Sequence, residues 1–190
     1  MFAADPVDTY LRHLARTLDA LSRAEIWAAV DLLLAAGSAR RRIYLVGNGG
    51  SAATASHMAN DLNKQASVPG RPPLRAIALT DNVPLITAWA NDEEYAECFA
   101  RQLANHLEAG DVLVAISTSG NSPNVLRALE SAREAGAVTI GFTGRDGGRL
   151  RDLVDCCVLV PCDDVGQQED VHLVLNHVIT TALRARLEEA

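Results

Sequence analysis

Two short loops in this chain carry the residue types that hold an anion. The first reads Gly47-Asn48-Gly49-Gly50-Ser51-Ala52 and the second Ser117-Thr118-Ser119-Gly120-Asn121-Ser122. Glycines such as Gly49 and Gly50 let backbone N–H groups approach a ligand, a helix N-terminus favours negative charge, and hydroxyls add neutral donors. Either loop alone also reads as a tight strand-to-helix turn. Four hydroxyl side chains in the six residues of the second loop make the pair a pocket for a phosphorylated small molecule. The first loop also fits G-x-G-x-x-A. A dinucleotide fold, however, wants an acid at the end of its second strand, about 20 residues further on. The nearest candidate here is Asp81, beyond a long helix and a proline-rich stretch, so a nicotinamide cofactor is not expected.

Acid–base or metal chemistry has two candidate groups. His57 and Asp61 are four apart and share a helix face. A lone helical histidine is most often structural or solvated, but with a carboxylate a few turns from a phosphate loop it becomes a site candidate. Glu169, Asp170, His172 and His177 cluster near the C-terminus. On their own they fit a solvated helix face as well as a site.

The elements that must position these residues alternate regularly. Strand-like runs are Ile43–Val46, Leu74–Leu79, Val112–Ile116, Val138–Phe142 and Cys157–Val160. Helical patterns fill the gaps: Ser51–Lys64, Asn82–Ala90, Asp92–Leu107, Ser122–Ala135, Gly148–Leu153, and a last helix from Gly166 to Leu187. Such alternation predicts an α/β fold with a five-stranded, doubly wound parallel sheet. The strands lack polar alternation, as expected when both faces are covered. Ahead of the first strand, apolar residues at three- and four-residue steps predict helix over 6–36 with a stop at Gly37, either as one long helix or as two with a break near Ser22. Asn91-Asp92-Glu93-Glu94 reads as acids at a helix N-terminus.

Composition narrows the class. The chain has 190 residues, 48% hydrophobic and 4% aromatic, and a net charge of −7 from 24 acidic against 17 basic residues. An acidic, aromatic-poor chain lacks the footprint of a nucleic-acid binder. No apolar run reaches the roughly 20 residues of a membrane span, and the N-terminus has no long apolar segment of a secretory signal. Cys98, Cys156, Cys157 and Cys162 show no zinc-knuckle spacing and are expected as reduced thiols in a cytoplasmic protein.

The segments GNGGSA, TDN, AND, GDVLVAISTSGNSPNVLRALESAREAG and TGRDGG together resemble the SIS (sugar isomerase) fold, which is flavodoxin-like, and within it the phosphoheptose isomerase family. The resemblance spans nearly the whole chain. It implies one SIS domain over 1–190, with a helical oligomerisation arm at 1–37 and an α/β sandwich at 38–190. It further implies an aldose–ketose isomerase converting sedoheptulose 7-phosphate to glycero-manno-heptose 7-phosphate. Ser51, Ser117, Thr118, Ser119 and Ser122 would surround the phosphate, and Asn48, Asp81, Asn91 and Asp92 would line the sugar. Similar isomerases surround a zinc ion with four residues that correspond to His57, Asp61, Glu169 and His177, with Asp61 and His177 as the acid–base pair. Two residue types depart from that pattern: Asp61 stands where the family has Glu, and Glu169 where it has Gln. Eight residues on a helix rise about 12 Å, so Glu169 and His177 of one chain converge only if the helix start is frayed, if long side chains lean inward, or if different chains supply the two sides. The family assembles as a homotetramer, with neither nucleic acid nor membrane as a direct partner. A non-catalytic branch of the same fold, which binds the bacterial replication initiator, shares the segment TDNVPLITAWAND; retention of His57, Asp61 and His177 favours the isomerase.

Overall fold

In the computed structural model, which describes residues 5–189, five aliphatic runs form one parallel sheet. The strands are β1 (Arg42–Gly47), β2 (Arg75–Ala78), β3 (Val112–Ser117), β4 (Val138–Gly144) and β5 (Cys156–Val160). Their order across the sheet is β2-β1-β3-β4-β5. Ile43 pairs with Ala76 on one side and Val112 on the other, and Phe142 lies between Ile116 and Val158. The helices are α1 (Pro6–Asp19), α2 (Arg23–Ser38), α3 (Gly50–Lys64), α4 (Val83–Asp92), α5 (Ala100–Ala104), α6 (Pro123–Glu134) and α7 (Val165–Glu189). Single 3-10 segments lie at Tyr95–Glu97 and Gly148–Leu153. No helix among the described residues is long and apolar enough to cross a membrane.

Each face of the sheet has its own apolar layer. Leu33 of α2, Met58 and Leu62 of α3, and Leu175 and Ile179 of α7 pack on one side. Phe99, Leu103 of α5 and Leu129 of α6 pack with Tyr44 on the other. With both faces buried, period-two alternation has no reason to appear. The doubly wound order changes direction at the neighbouring strands β1 and β3, so the two hydroxyl- and glycine-rich loops emerge side by side at the carboxyl edge.

Of the two readings of residues 6–36, the structure takes the broken one: the Ser22 hydroxyl accepts from Glu25 N at 3.2 Å and starts α2. Gly37 does not stop that helix. It lies inside the last turn, where a Cβ would come within 2.4 Å of Leu74 Cδ2, so its smallness serves packing. The stop comes three residues later. Arg40 takes a left-handed φ of 55°, Arg40 N donates to Gly37 O, and Arg41 N donates to Ala36 O, the paired bonds of a Schellman ending. The α2 helix belongs to the sandwich, with Ala29, Val30 and Leu33 fully buried, whereas Thr17 is the buried residue of α1.

The acidic run also reads differently. Asn91 and Asp92 end α4, and the helix expected over Asp92–Leu107 is broken into the 3-10 turn and α5. Asn82 caps α4 through Leu85 N and Pro84 sits in its first turn, which sets the register from the other end. Burial of Cys98 and Phe99 then overrides the helical pattern. Glu93 and Glu97 are balanced by Arg101 and Arg127, at 2.7 and 2.9 Å.

At the opposite edge, Asp111 is 2% exposed and ties strand starts together. Its Oδ1 accepts from Arg42 N at 2.9 Å and its Oδ2 from Glu108 N at 3.0 Å. Asp111→Ala leaves both amides short of a partner. It should lower the unfolding free energy by about 2–4 kcal/mol, read from urea denaturation.

Candidate active site

The β1 loop enters α3 through Gly49, at φ 53°, and no side chain caps that helix. Ser51 is buried in its first turn. The β3 loop enters α6 through Ser122, whose hydroxyl faces Ser117 Oγ at 3.2 Å instead of capping the helix. Two chain ends rich in donors therefore stand beside each other.

The second loop is held from outside. Gly144 N donates to Thr118 O at 3.0 Å and Leu150 N to Gly120 O at 2.9 Å. Asn121 bridges Ser119 O and Arg149 N. Gly120 has φ 62°, and a Cβ there would lie 2.0 Å from Gly147 O. The segment TGRDGG thus serves as the wall against which the hydroxyl loop is set.

An amide pair joins the two loops. Asn48 Nδ2 donates to Asn124 Oδ1 and Asn124 Nδ2 donates to Asn48 Oδ1, both at 2.8 Å. Tyr95 Oη adds a bond to Asn48 Oδ1 at 2.9 Å. Asn48, expected to line the sugar, has its amide committed to this pair. Neither Asn124 nor Tyr95 has a clear signature in the sequence; the available sign is the Asn two residues after Ser122. Asp81 is exposed and bonds Ser56 Oγ, and Asn91 bonds its neighbour Asp92 at 2.9 Å.

Further along α3 lies the triad. Asp61 Oδ2 is 3.4 Å from His57 Nε2 and 3.6 Å from His177 Nε2, and the two Nε2 atoms are 3.4 Å apart. The carboxylate is buried, with 3% of the side chain exposed, while the imidazoles are 44% and 55% exposed. A tetrahedral zinc ion with bonds of about 2.0–2.1 Å spaces its ligand atoms about 3.3 Å apart. Two nitrogens and one oxygen at these separations fit such an ion and leave a fourth position for a substrate. Glu169 does not join them: its carboxylate lies against Gly50, where an added Cβ would be 2.4 Å from Oε1. Within this chain three of the four expected residues come together, and Glu169 lies two turns from His177 on α7, which is regular from Val165. A cavity of about 290 Å³ opens beside the triad, lined by Gln65, Thr180, Thr181 and Arg184 as well as Asp61 and His177.

Among the described residues, Gln168 and His172 are polar groups buried behind the site. Gln168 donates to Cys162 O at 2.6 Å and packs on Gly144. His172 is fully buried, and neither ring nitrogen has a hydrogen-bond partner. Burial drives its pKa down from 6.5 to about 4; the Thr143 backbone nearby opposes this in part. His172, grouped in the sequence with the site candidates, is thus a neutral core residue beside Phe142.

Fold and site together define a SIS-domain protein, an α/β sandwich with two donor-rich loops side by side at the carboxyl edge of its sheet. The SIS domain family matches residues 9–144. A phosphoheptose isomerase of Rhodospirillum rubrum is 42% identical over 156 residues, covering 82% of this chain and 81% of its own. Solved structures agree. A phosphoheptose isomerase from Neisseria gonorrhoeae superposes with a TM-score of 0.88 at 31% identity, covering 94% of this chain and 97% of its own. One from Francisella tularensis gives 0.89 at 30%, covering 97% and 100%. The chain belongs to the phosphoheptose isomerase family, and the isomerase reading prevails over the initiator-binding one.

Two outcomes follow from this geometry. Gly120→Ala strains a left-handed residue and drives a methyl into Gly147 O, a backbone atom that moves only if the loops part. Inorganic phosphate should bind at least about tenfold more weakly by calorimetry, a loss of about 1.4 kcal/mol. For His172, the unfolded chain takes up its proton near pH 6.5 and the folded chain only near 4. Stability is then complete above about pH 6.5 and falls on acidification towards 4. Between pH 7 and 4.5 the wild type should lose about 2–3 kcal/mol more unfolding free energy than His172→Leu, measured in urea.

Proposed function

We propose that the chain interconverts sedoheptulose 7-phosphate and glycero-manno-heptose 7-phosphate, with a divalent metal, zinc, at the triad. The observation that carries this reading is the triad itself: two imidazole nitrogens and a buried carboxylate oxygen, all within 3.6 Å of one another, in a chain whose loops suit a phosphate. The two nitrogens and one oxygen are a donor set for zinc.

The Glu169 carboxylate lies beside Gly50 in the first turn of α3, where its charge faces the positive end of the helix and repels a second anion. The phosphate therefore belongs in the β3 loop, on Ser117, Thr118, Ser119, Ser122 and the start of α6, with Ser51 alongside. Dipoles and neutral hydroxyls hold it there, which suits a chain of net charge −7. The sugar would then run past Gly49 and Gly50 towards α3 and α7, with Asp81, Asn91, Asp92 and Glu169 as its proposed contacts.

Aldose–ketose exchange moves a proton between C1 and C2 through a cis-enediol. It needs a base at the carbon and an acid at the oxygens. Asp61 and His177 take these roles, with His57 beside them. When bound, the metal polarises the sugar carbonyl as a Lewis acid. Burial of Asp61 keeps water from competing for its oxygens, while the half-exposed histidines leave the other side open to substrate.

The assembly proposed is a homotetramer in the cytoplasm. An apolar groove between α1, α2 and α7 supports it: Leu18, Ile26, Trp27, Val174 and Val178 line about 410 Å³, and Trp27, Val174 and Val178 are exposed.

Asp61→Asn and His177→Ala should each lower kcat by about 10²–10⁴ while inorganic phosphate still binds. Full turnover in either variant removes the assignment.

A further inference from the structure

Asp61 is a carboxylate almost without water, so its two oxygens must be satisfied by protein groups. Asn60, the next residue back on α3, donates Nδ2 to Oδ1 at 3.0 Å, but Asn60 is itself exposed and shares that bond with solvent. The other donor comes from across the helix interface. Asn176 Nδ2 donates to Asp61 Oδ2 at 2.8 Å, and Asn176 is fully buried on α7. Oδ2 is also the oxygen that faces both histidines. One atom therefore receives the buried amide on one side and presents its remaining lone pair to the triad on the other.

The orientation of that amide is fixed as well. Thr180, one turn further along α7, places Oγ1 at 3.4 Å from Asn176 Oδ1, which leaves Nδ2 for the carboxylate. Asn176 also precedes His177 directly, so one stretch of α7 supplies a triad imidazole and the amide that sets the triad carboxylate. The Asn176 side chain hydrogen-bonds Asp61 and Thr180 and neither histidine.

We infer that Asn176 is a positioning residue: it fixes the plane of the Asp61 carboxylate so that Oδ2 faces His57 Nε2 and His177 Nε2, and thereby sets the metal affinity of the site. The inference rests on the reading of the triad as a metal site. Groups that orient a metal ligand in this way are worth about 10–100-fold in metal affinity when removed.

The test uses the full-length protein stripped of metal, with zinc alone as the probe. Zinc affinity is measured by competition with a chromophoric chelator for the wild type, Asn176→Leu and Asn176→Ser, and the Tm of each is recorded without metal. Leucine matches the volume but cannot donate. Serine stays polar in the buried position and is too short to reach Asp61, so it decides the matter if the leucine variant fails to fold. The expected result is one zinc per wild-type chain and affinity about 10–100-fold lower in the variants, with kcat reduced and KM for the sugar phosphate little changed. A folded variant that binds zinc as tightly as the wild type overturns the inference and leaves the metal site standing. A lower Tm with unchanged zinc affinity also overturns it, since that is the signature of a packing role. A wild type that takes up no zinc removes the metal reading itself, and the inference with it.

Discussion

The rest of the site depends on one buried anion. Asp61 lies between α3 and α7, closed off from water and facing two imidazoles. A carboxylate in that position is tolerated because amides hold it and because cationic or metal charge can approach from the open side. The aliphatic packing of Met58 and Leu62 against Leu175 and Ile179 brings the two helices together and sets the distance across which Asn176 reaches Asp61. The convergence of His57, Asp61 and His177 is thus a consequence of helix packing on one face of the sheet.

The phosphate end rests on a different constraint. Two parallel strands that neighbour each other, β1 and β3, end in loops that must stay a fixed distance apart. The reciprocal Asn48–Asn124 amide pair sets that distance, and the close approach of Gly120 to Gly147 sets the back wall. Neither device contributes a charge. On the function proposed, an acidic chain would hold a phosphate with backbone dipoles and hydroxyls, and Glu169 beside Gly50 would direct the anion to the other loop.

Much of the fold was legible in the sequence because its signals are local. The β-rich runs, the Ser22 break and the Ser122-Pro123 helix start each state their structure within a few residues. The misreadings came where a distant contact decided. Gly37 looked like a helix stop because its partner, Leu74, lies far along the chain. Asn91–Glu94 looked like a helix start because the burial of Cys98 and Phe99 is invisible to a local pattern. In the site, His57, Asp61 and His177 were singled out and the structure brings them together. Glu169 has the right spacing for the family pattern but sits two turns from His177 on a regular helix. Asn176, an amide among apolar residues, has no sequence signature; only the packing of α7 on α3 shows what it faces.

The central claim is that one chain offers a metal to the sugar end of a substrate whose phosphate lies in the β3 loop. A crystal structure of the protein grown with zinc and sedoheptulose 7-phosphate tests it most directly. An ion bound by His57, Asp61 and His177 at about 2.0–2.2 Å, with the phosphate among Ser117, Thr118, Ser119 and Ser122, is the predicted result. Zinc held elsewhere, or a phosphate seated at the start of α3 with Glu169 displaced, would contradict it.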